Sequence, residues 1–298
     1  MDVQKSNNRP DFLVIGGMKC ASTTMHADLS LHPSIECGKK ELNALLKPDL
    51  EEIATIYGEN YHGVGPEKLL GDVSADYSTL PTNSGVAQRA FEIAPDLKIV
   101  YIVRNPVRRA LSHHQHMMNW SGEGQMVQDV NLAIGNHPEL ISYSCYAMQL
   151  QPWIEAFGLE NILVVKFEDY VDNRMIVANQ VCRFLGLPEA DLELNESGSN
   201  RGESRRYAGK MIYHLYRTNL FKKVLQPATP DFLKQALRRL LLRKNKLAKI
   251  PPTRATLEQI ALGVRADISR FETLLGYKEP LWDIEHSIEQ ILLKQKGN

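Results

Sequence analysis

Cysteine is scarce in this chain. Only Cys20, Cys37, Cys145 and Cys182 occur among 298 residues, and no two are spaced C-x-x-C. That pattern excludes a disulfide-stapled scaffold and a cysteine-based zinc site. Long apolar runs are absent too, none approaching the ~18 residues that a membrane-spanning helix needs. The opening MDVQKSNNRPD has no apolar stretch of the kind a leader peptide carries. Together these absences predict a cytoplasmic protein with no transmembrane segment. Net charge is missing as well, 35 Lys and Arg balancing 35 Asp and Glu, so the molecule as a whole is no polyanion binder. No internal repeat and no linker-like stretch divides the chain, which predicts a single domain from about residue 11 to 282. A loose N-terminus (1–10) and a polar tail of unassigned role (283–298) flank it.

The charge that is present is unevenly placed. Between Arg201 and Ile250 there are 14 Lys and Arg against 2 Asp and Glu. Met211, Leu215, Leu220 and Val224, then Phe232, Leu237, Leu240 and Leu241, have helical spacing, so 208–247 reads as helices with basic faces. Those faces suit solvent, an anionic ligand or peripheral contact with an anionic membrane. The most informative stretch lies near the other end, in DFLVIGGMKCASTTMHADLSLHPSI. Phe12 to Ile15 is an apolar run suited to a buried parallel strand. Gly16 and Gly17 turn the backbone, and Met25, Leu29 and Leu31 continue with helical spacing. Between them stand Lys19, Cys20, Ala21, Ser22, Thr23 and Thr24. A strand, a small-residue loop and a helix N-terminus present backbone N–H groups to an anion, and Lys19 adds a point charge. An ordinary strand-to-helix turn is the competing reading. The loop is not a Walker A motif, because no glycine precedes the lysine in the required spacing.

A second stretch repeats the theme. Ile99 to Val103 reads as a central strand, with Arg104 at its carboxyl end, where open α/β sheets bind ligands. Asn105-Pro106 opens the next helix, and Ser112 follows two turns on. A guanidinium grips phosphate with two parallel hydrogen bonds, and the serine adds a donor. Arg108 and Arg109 flank this site. His113, His114 and His116 come next; adjacent helical positions diverge by about 100°, which argues against a shared metal.

These two stretches resemble the donor-binding motifs of sulfotransferases that use 3′-phosphoadenosine 5′-phosphosulfate (PAPS). GGMKCASTTM is similar to the 5′-phosphosulfate loop, with Ala21 where the family usually has glycine and Ser22 where it usually has threonine. Arg104-Asn-Pro through Ser112 is similar to the 3′-phosphate motif. The resemblance implies a P-loop-NTPase-like α/β fold, a central parallel sheet of about five strands flanked by helices. It implies sulfuryl transfer from PAPS to a hydroxyl, less favourably an amine, of a small-molecule or carbohydrate acceptor, with no metal required. In the carbohydrate branch a glutamate after a lysine acts as base, which here implies Glu41, with Asp76 or His26 next in line. Lys19, helped by Lys40, would stabilise charge on the leaving oxygen. A solvated charge cluster is the competing reading of Lys39-Lys40-Glu41. Ser74 and Tyr77 match a family segment expected to line the acceptor pocket, where Asp72 replaces a glutamate and Ala75 a proline, and a basic loop implicates Arg201, Arg205 and Arg206 in nucleotide binding, without deciding among them. The bacterial branch is the better match, since eukaryotic carbohydrate enzymes usually carry a membrane anchor.

The rest of the chain supports the fold. Helices are expected within 47–70, at 83–95, through Tyr146 to Phe157, and at 174–187. Ile162 to Phe167 is another strand, 254–282 a closing helix, and 119–138 a Gly-rich loop near the acceptor. Two other functions remain open: a P-loop nucleotide kinase, disfavoured by the missing Walker A spacing, and a non-catalytic anion- or membrane-binding protein using 201–250.

Overall fold

Alternation along the strands determines what each face of the sheet buries. β1 (Phe12–Gly16) is buried at all five positions. Its Leu13 and Ile15 join Ile99, Tyr101 and Val103 of β4 (Lys98–Val103) in one apolar cluster. Phe12 and Val14 join Val100 and Ile102 in a second cluster on the opposite face. A strand covered on both faces must be apolar throughout, hence the unbroken runs. The computed structural model describes residues 9–120, 127–192, 194, 206–208, 242–244 and 250–296.

The five-stranded sheet has the order β2-β3-β1-β4-β5, and every pairing is parallel. β2 is Ile35–Glu36, β3 Leu69–Val73 and β5 Ile162–Lys166. Consequently all strand ends that carry expected site residues lie along one edge. The first face is covered by α2 (Leu50–Asn60), α3 (Val86–Ile93), α7 (Tyr146–Phe157) and α10 (Arg254–Leu274). The second carries α1 (Ser22–Leu29), the short α8 (Phe167–Asp172) and α9 (Arg174–Phe184). A third cluster joins α4 (Pro106–Trp120), α5 (Val130–Asn136), α6 (Glu139–Ser142), α10 and α11 (Ile284–Lys296).

α1 is held from the side as well. Its buried Asp28 accepts a 2.5 Å hydrogen bond from the Tyr170 hydroxyl and pairs with Arg174 of α9. The expected parallel α/β sheet is therefore present, and the local structure adds to or departs from expectation in several places. Part of the Gly-rich region is helix α5, because Val130, Ala133 and Ile134 recur at helical spacing and are buried. The tail forms α11, whose Ile288 is fully buried. Where basic helices were expected, Arg206–Ala208 and Leu242–Lys244 pair as antiparallel strands β6 and β7, with Tyr207 opposite Arg243. Backbone pairing with a distant segment there overrides the local helical periodicity; the rest of that expectation, 209–241 and 245–249, lies outside the described residues. Arg9, expected to be loose, pairs with Asp96.

Candidate nucleotide and acceptor site

Gly16 ends β1 because nothing larger fits. A Cβ there would stand 2.5 Å from the Ile102 carbonyl oxygen of β4. Gly17 donates to that same oxygen at 3.1 Å, and its own carbonyl accepts from Cys20 at 3.1 Å, closing the loop. Lys19 and Ala21 both have left-handed backbones, with φ of 78° and 69°. Ala21 is also the N-cap of α1 and supplies no side-chain acceptor. The first amides of that helix therefore point out of the loop without a capping side chain, and the helix dipole adds positive potential there. Ser22 and Thr24 are half-buried and Thr23 is exposed at this end.

Ala21 occupies a conformation that glycine adopts without steric cost. Ala21→Gly should therefore raise folding stability by about 0.5 kcal/mol, the relieved left-handed strain exceeding the added unfolded-state entropy. Urea titration of the two proteins measures this. A loss of stability would show that the alanine methyl contributes packing that outweighs the strain.

Cys20 contributes backbone only. Burial pushes its thiol up to about 12, even with Arg109 and Arg104 nearby, so it stays protonated.

Arg104 follows β4 and reaches back to the loop. Its Nη1 donates to the Lys19 carbonyl at 3.0 Å, and its guanidinium lies 4.2 Å from the centre of the Phe167 ring. Its Nε is buried with no hydrogen-bond partner. Tyr146 fixes the backbone, its hydroxyl donating to the Arg104 carbonyl at 2.6 Å and accepting from the Arg104 N–H at 3.2 Å. Glu168 accepts from the Asn105 N–H at 2.8 Å and from Trp282 Nε1 at 3.2 Å. The tail helix braces the same turn. Asn105 Nδ2 donates to Ser287 Oγ at 2.9 Å, and Arg108 Nη2 donates to Gln290 Oε1 at 2.6 Å. Burial, then the charge of Arg104, pushes the Arg108 guanidinium down from its ordinary value. Two crowded guanidinium groups and an orphaned buried N–H form a site suited to a polyanion. Ser112 lies half-buried farther along α4.

Of the two flanking arginines, Arg109 turns inward. It is fully buried, bonds Ser144 and donates to the Leu140 carbonyl at 2.5 Å. His113 stacks on Tyr143, and burial with Arg109 beside it pushes its pKa down to about 2, so it stays neutral. His114 donates to the Val127 carbonyl at 2.8 Å. These histidines pack rather than converge. Among the described residues no group of three or more His, Cys, Asp or Glu is placed to hold a metal.

On the other side of β1 stands the expected base. Glu41 has φ 56°, its N–H donates to the Val73 carbonyl at 3.1 Å, and its Oε2 accepts from the Ala75 N–H at 3.1 Å. Lys40 Nζ contacts its other carboxylate oxygen. Asp76 is close enough that Glu41 adds to burial in pushing its pKa up. β3 and β4 both flank β1, so the Glu41 and Arg104 ends of the site are about 10 Å apart across the sheet, at two strand spacings. His26, the other candidate base, instead donates Nε2–H to the Gly38 carbonyl at 3.0 Å. Lys19, Arg104, Glu41 and Lys40 thus share one sheet edge; Arg201 and Arg205 lie outside the described residues. The bracing by Tyr146, Glu168 and Phe167 was not assigned from the sequence. Only the position of Phe167-Glu168 after a strand hinted at it.

A profile described as the sulfotransferase family matches residues 50–191. Over that stretch, just under half of its length, the chain is similar to this family. Its match covers β3, β4, β5 and the Arg104 motif of the sulfotransferase sheet. The chain is 28% identical over 202 residues to bifunctional heparan sulfate N-deacetylase/N-sulfotransferase 1 of Caenorhabditis elegans, a match covering 62% of this chain and 23% of that protein. It is 31% identical over 115 residues to the membrane-associated sulfotransferase kil1 of Dictyostelium discoideum, covering 37% of this chain and 24% of that one. The chain therefore spans about a quarter of the length of these curated relatives. The fold matches a crystal structure of a sulfotransferase from Alicyclobacillus acidocaldarius with TM-score 0.62 and 22% identity, over 91% of this chain and 97% of that one. No helix among the described residues is long and apolar enough to cross a membrane.

Proposed function

We propose that this chain transfers a sulfuryl group from PAPS to a hydroxyl, less favourably an amine, of a carbohydrate or small-molecule acceptor. The observation that carries the reading is the contact between Arg104 Nη1 and the Lys19 carbonyl. It joins two anion motifs, far apart in sequence, into one site.

When bound, the donor supplies an activated sulfuryl group and departs as adenosine 3′,5′-bisphosphate. Lys19, the amides of Ala21 to Thr23 and the hydroxyls of Ser22, Thr23 and Thr24 hold the 5′ end. Arg104 and Ser112 hold the 3′-phosphate, with Arg201 and Arg205 as additional contacts. Glu41 takes the acceptor's proton at its carboxylate, beside Lys40. Lys19, with Lys40 supporting, stabilises negative charge developing on the oxygen that leaves. The names of the relatives favour a carbohydrate acceptor. Four unpaired cysteines favour a reducing, cytoplasmic setting.

Calorimetric titration with adenosine 3′,5′-bisphosphate, followed by a mass-shift screen of hydroxylated and aminated acceptors with PAPS, tests the reading. Binding and a gain of one sulfuryl group are expected. No binding of the bisphosphate and no sulfated product from any acceptor would overturn it.

A further inference from the structure

Beneath the Glu41 loop lies a carboxylate that the chemistry above does not use. Asp72, near the end of β3, is 1% exposed, and among the described residues its hydrogen-bond partners are three hydroxyls. Tyr57 and Tyr77 donate to Oδ2 at 2.9 and 2.5 Å, and Ser74 donates to Oδ1 at 2.7 Å. Two of these hydroxyls have a second partner. Ser74 Oγ accepts from the Asn43 N–H at 3.2 Å, and the Tyr77 hydroxyl accepts from the Leu45 N–H at 3.2 Å.

An amide N–H can only donate, so each hydroxyl must accept there and spend its single proton elsewhere. Asp72 is the acceptor that both reach, at 2.7 Å from Ser74 and 2.5 Å from Tyr77. The direction of both chains is therefore forced: amide to hydroxyl to carboxylate. Each chain ends on a different oxygen of the same group.

The amides so held belong to a strained segment. Glu41 and Asn43 both have φ of 56°, a left-handed conformation that non-glycine residues keep only when the surroundings over-determine it. We infer that Asp72 is a positioning residue, which anchors the loop carrying Glu41 through two hydroxyl relays and so fixes the direction of its carboxylate. This rests on Glu41 being the base proposed above. Burial drives the Asp72 carboxyl up and the three hydroxyl donors oppose it.

Asp72→Asn is the sharp test. An amide side chain has one acceptor oxygen, so an NH2 group faces either Ser74 or both tyrosines, and at least one hydroxyl loses its acceptor. The variant is expected to lower kcat by roughly tenfold to a hundredfold, the scale of a small misplacement of a reacting group. Its affinity for adenosine 3′,5′-bisphosphate should stay within twofold, and amide hydrogen exchange at Asn43 and Leu45 should accelerate. In a Glu41→Gln background the same change should cost no further activity, because nothing is left to aim. An equal loss in both backgrounds, or wild-type kcat in Asp72→Asn, would overturn the inference. Should Asp72→Asn fail to fold, Ser74→Ala and Tyr77→Phe each remove one relay and are carried through the same cycle with the same two outcomes. If Glu41→Gln itself keeps wild-type turnover, the base reading fails separately, and unchanged exchange at Asn43 and Leu45 would then refute the relay.

Discussion

Arg104→Ala is expected to weaken binding of adenosine 3′,5′-bisphosphate by on the order of a hundredfold to ten-thousandfold. Two charge-assisted hydrogen bonds to a phosphate, at roughly 1.5 to 3 kcal/mol each, account for that range. The guanidinium is already placed for them. Phe167 supports its plane at 4.2 Å, Nη1 is anchored on the Lys19 carbonyl at 3.0 Å, and Nε is buried without a partner. A ligand that supplies the missing acceptor therefore gains a bond without having to order the side chain. Arg104→Lys keeps the charge and loses the fork, so it should fall between, about tenfold weaker than the native protein. Calorimetry on the three proteins reads this directly. Native affinity in Arg104→Ala would remove the guanidinium from the nucleotide site. Loss confined to the enthalpy of unfolding, with affinity kept, would make Arg104 a brace for the Lys19 loop alone.

That loop and strand β4 were legible in the sequence because their signals are local. An apolar run, a pair of glycines, a lysine among hydroxyls and a proline after an arginine are each readable within ten residues. The sheet confirmed the consequence, since parallel strands in the order β2-β3-β1-β4-β5 bring their carboxyl ends to one edge. What escaped depends on contacts between distant residues. Nothing in Gly71-Asp72-Val73-Ser74 signals that Tyr57, from α2, donates to the same carboxylate. The left-handed backbones of Lys19, Glu41 and Asn43 were equally hidden, because glycine is the usual marker of that conformation and none of them is glycine; at Ala21 the family's usual glycine was the hint. The tail read as polar and amphipathic, with no assigned role, for a related reason. Its buried face is narrow, with Ser287 and Ile288 inside, and Ser287 is polar precisely where it meets Asn105.

Glu41→Gln tests the chemistry rather than the binding. The substitution preserves the shape and leaves an oxygen to accept from the Ala75 N–H, as Oε2 does at 3.1 Å. It removes the negative charge beside Lys40 and the ability to take a proton. Removal of a positioned general base typically costs 10² to 10⁴ in rate, so kcat should fall by about that factor while affinity for adenosine 3′,5′-bisphosphate is kept. The neighbouring carboxylate supplies the control. Asp76 is the alternative base on this edge, with its carboxyl pushed up by burial and by Glu41. The hydrogen bond its carboxylate accepts from Asn43 Nδ2 is long at 3.5 Å. With Glu41 as base, Asp76→Asn should reduce kcat less than tenfold. If instead Glu41→Gln turns over normally and Asp76→Asn does not, the proton leaves through Asp76, and the relay beneath Glu41 serves only to hold the loop's shape. Loss of bisphosphate binding in Glu41→Gln would point to a third arrangement, in which Glu41 keeps Lys40 in place against the donor and no carboxylate on this edge acts as the base.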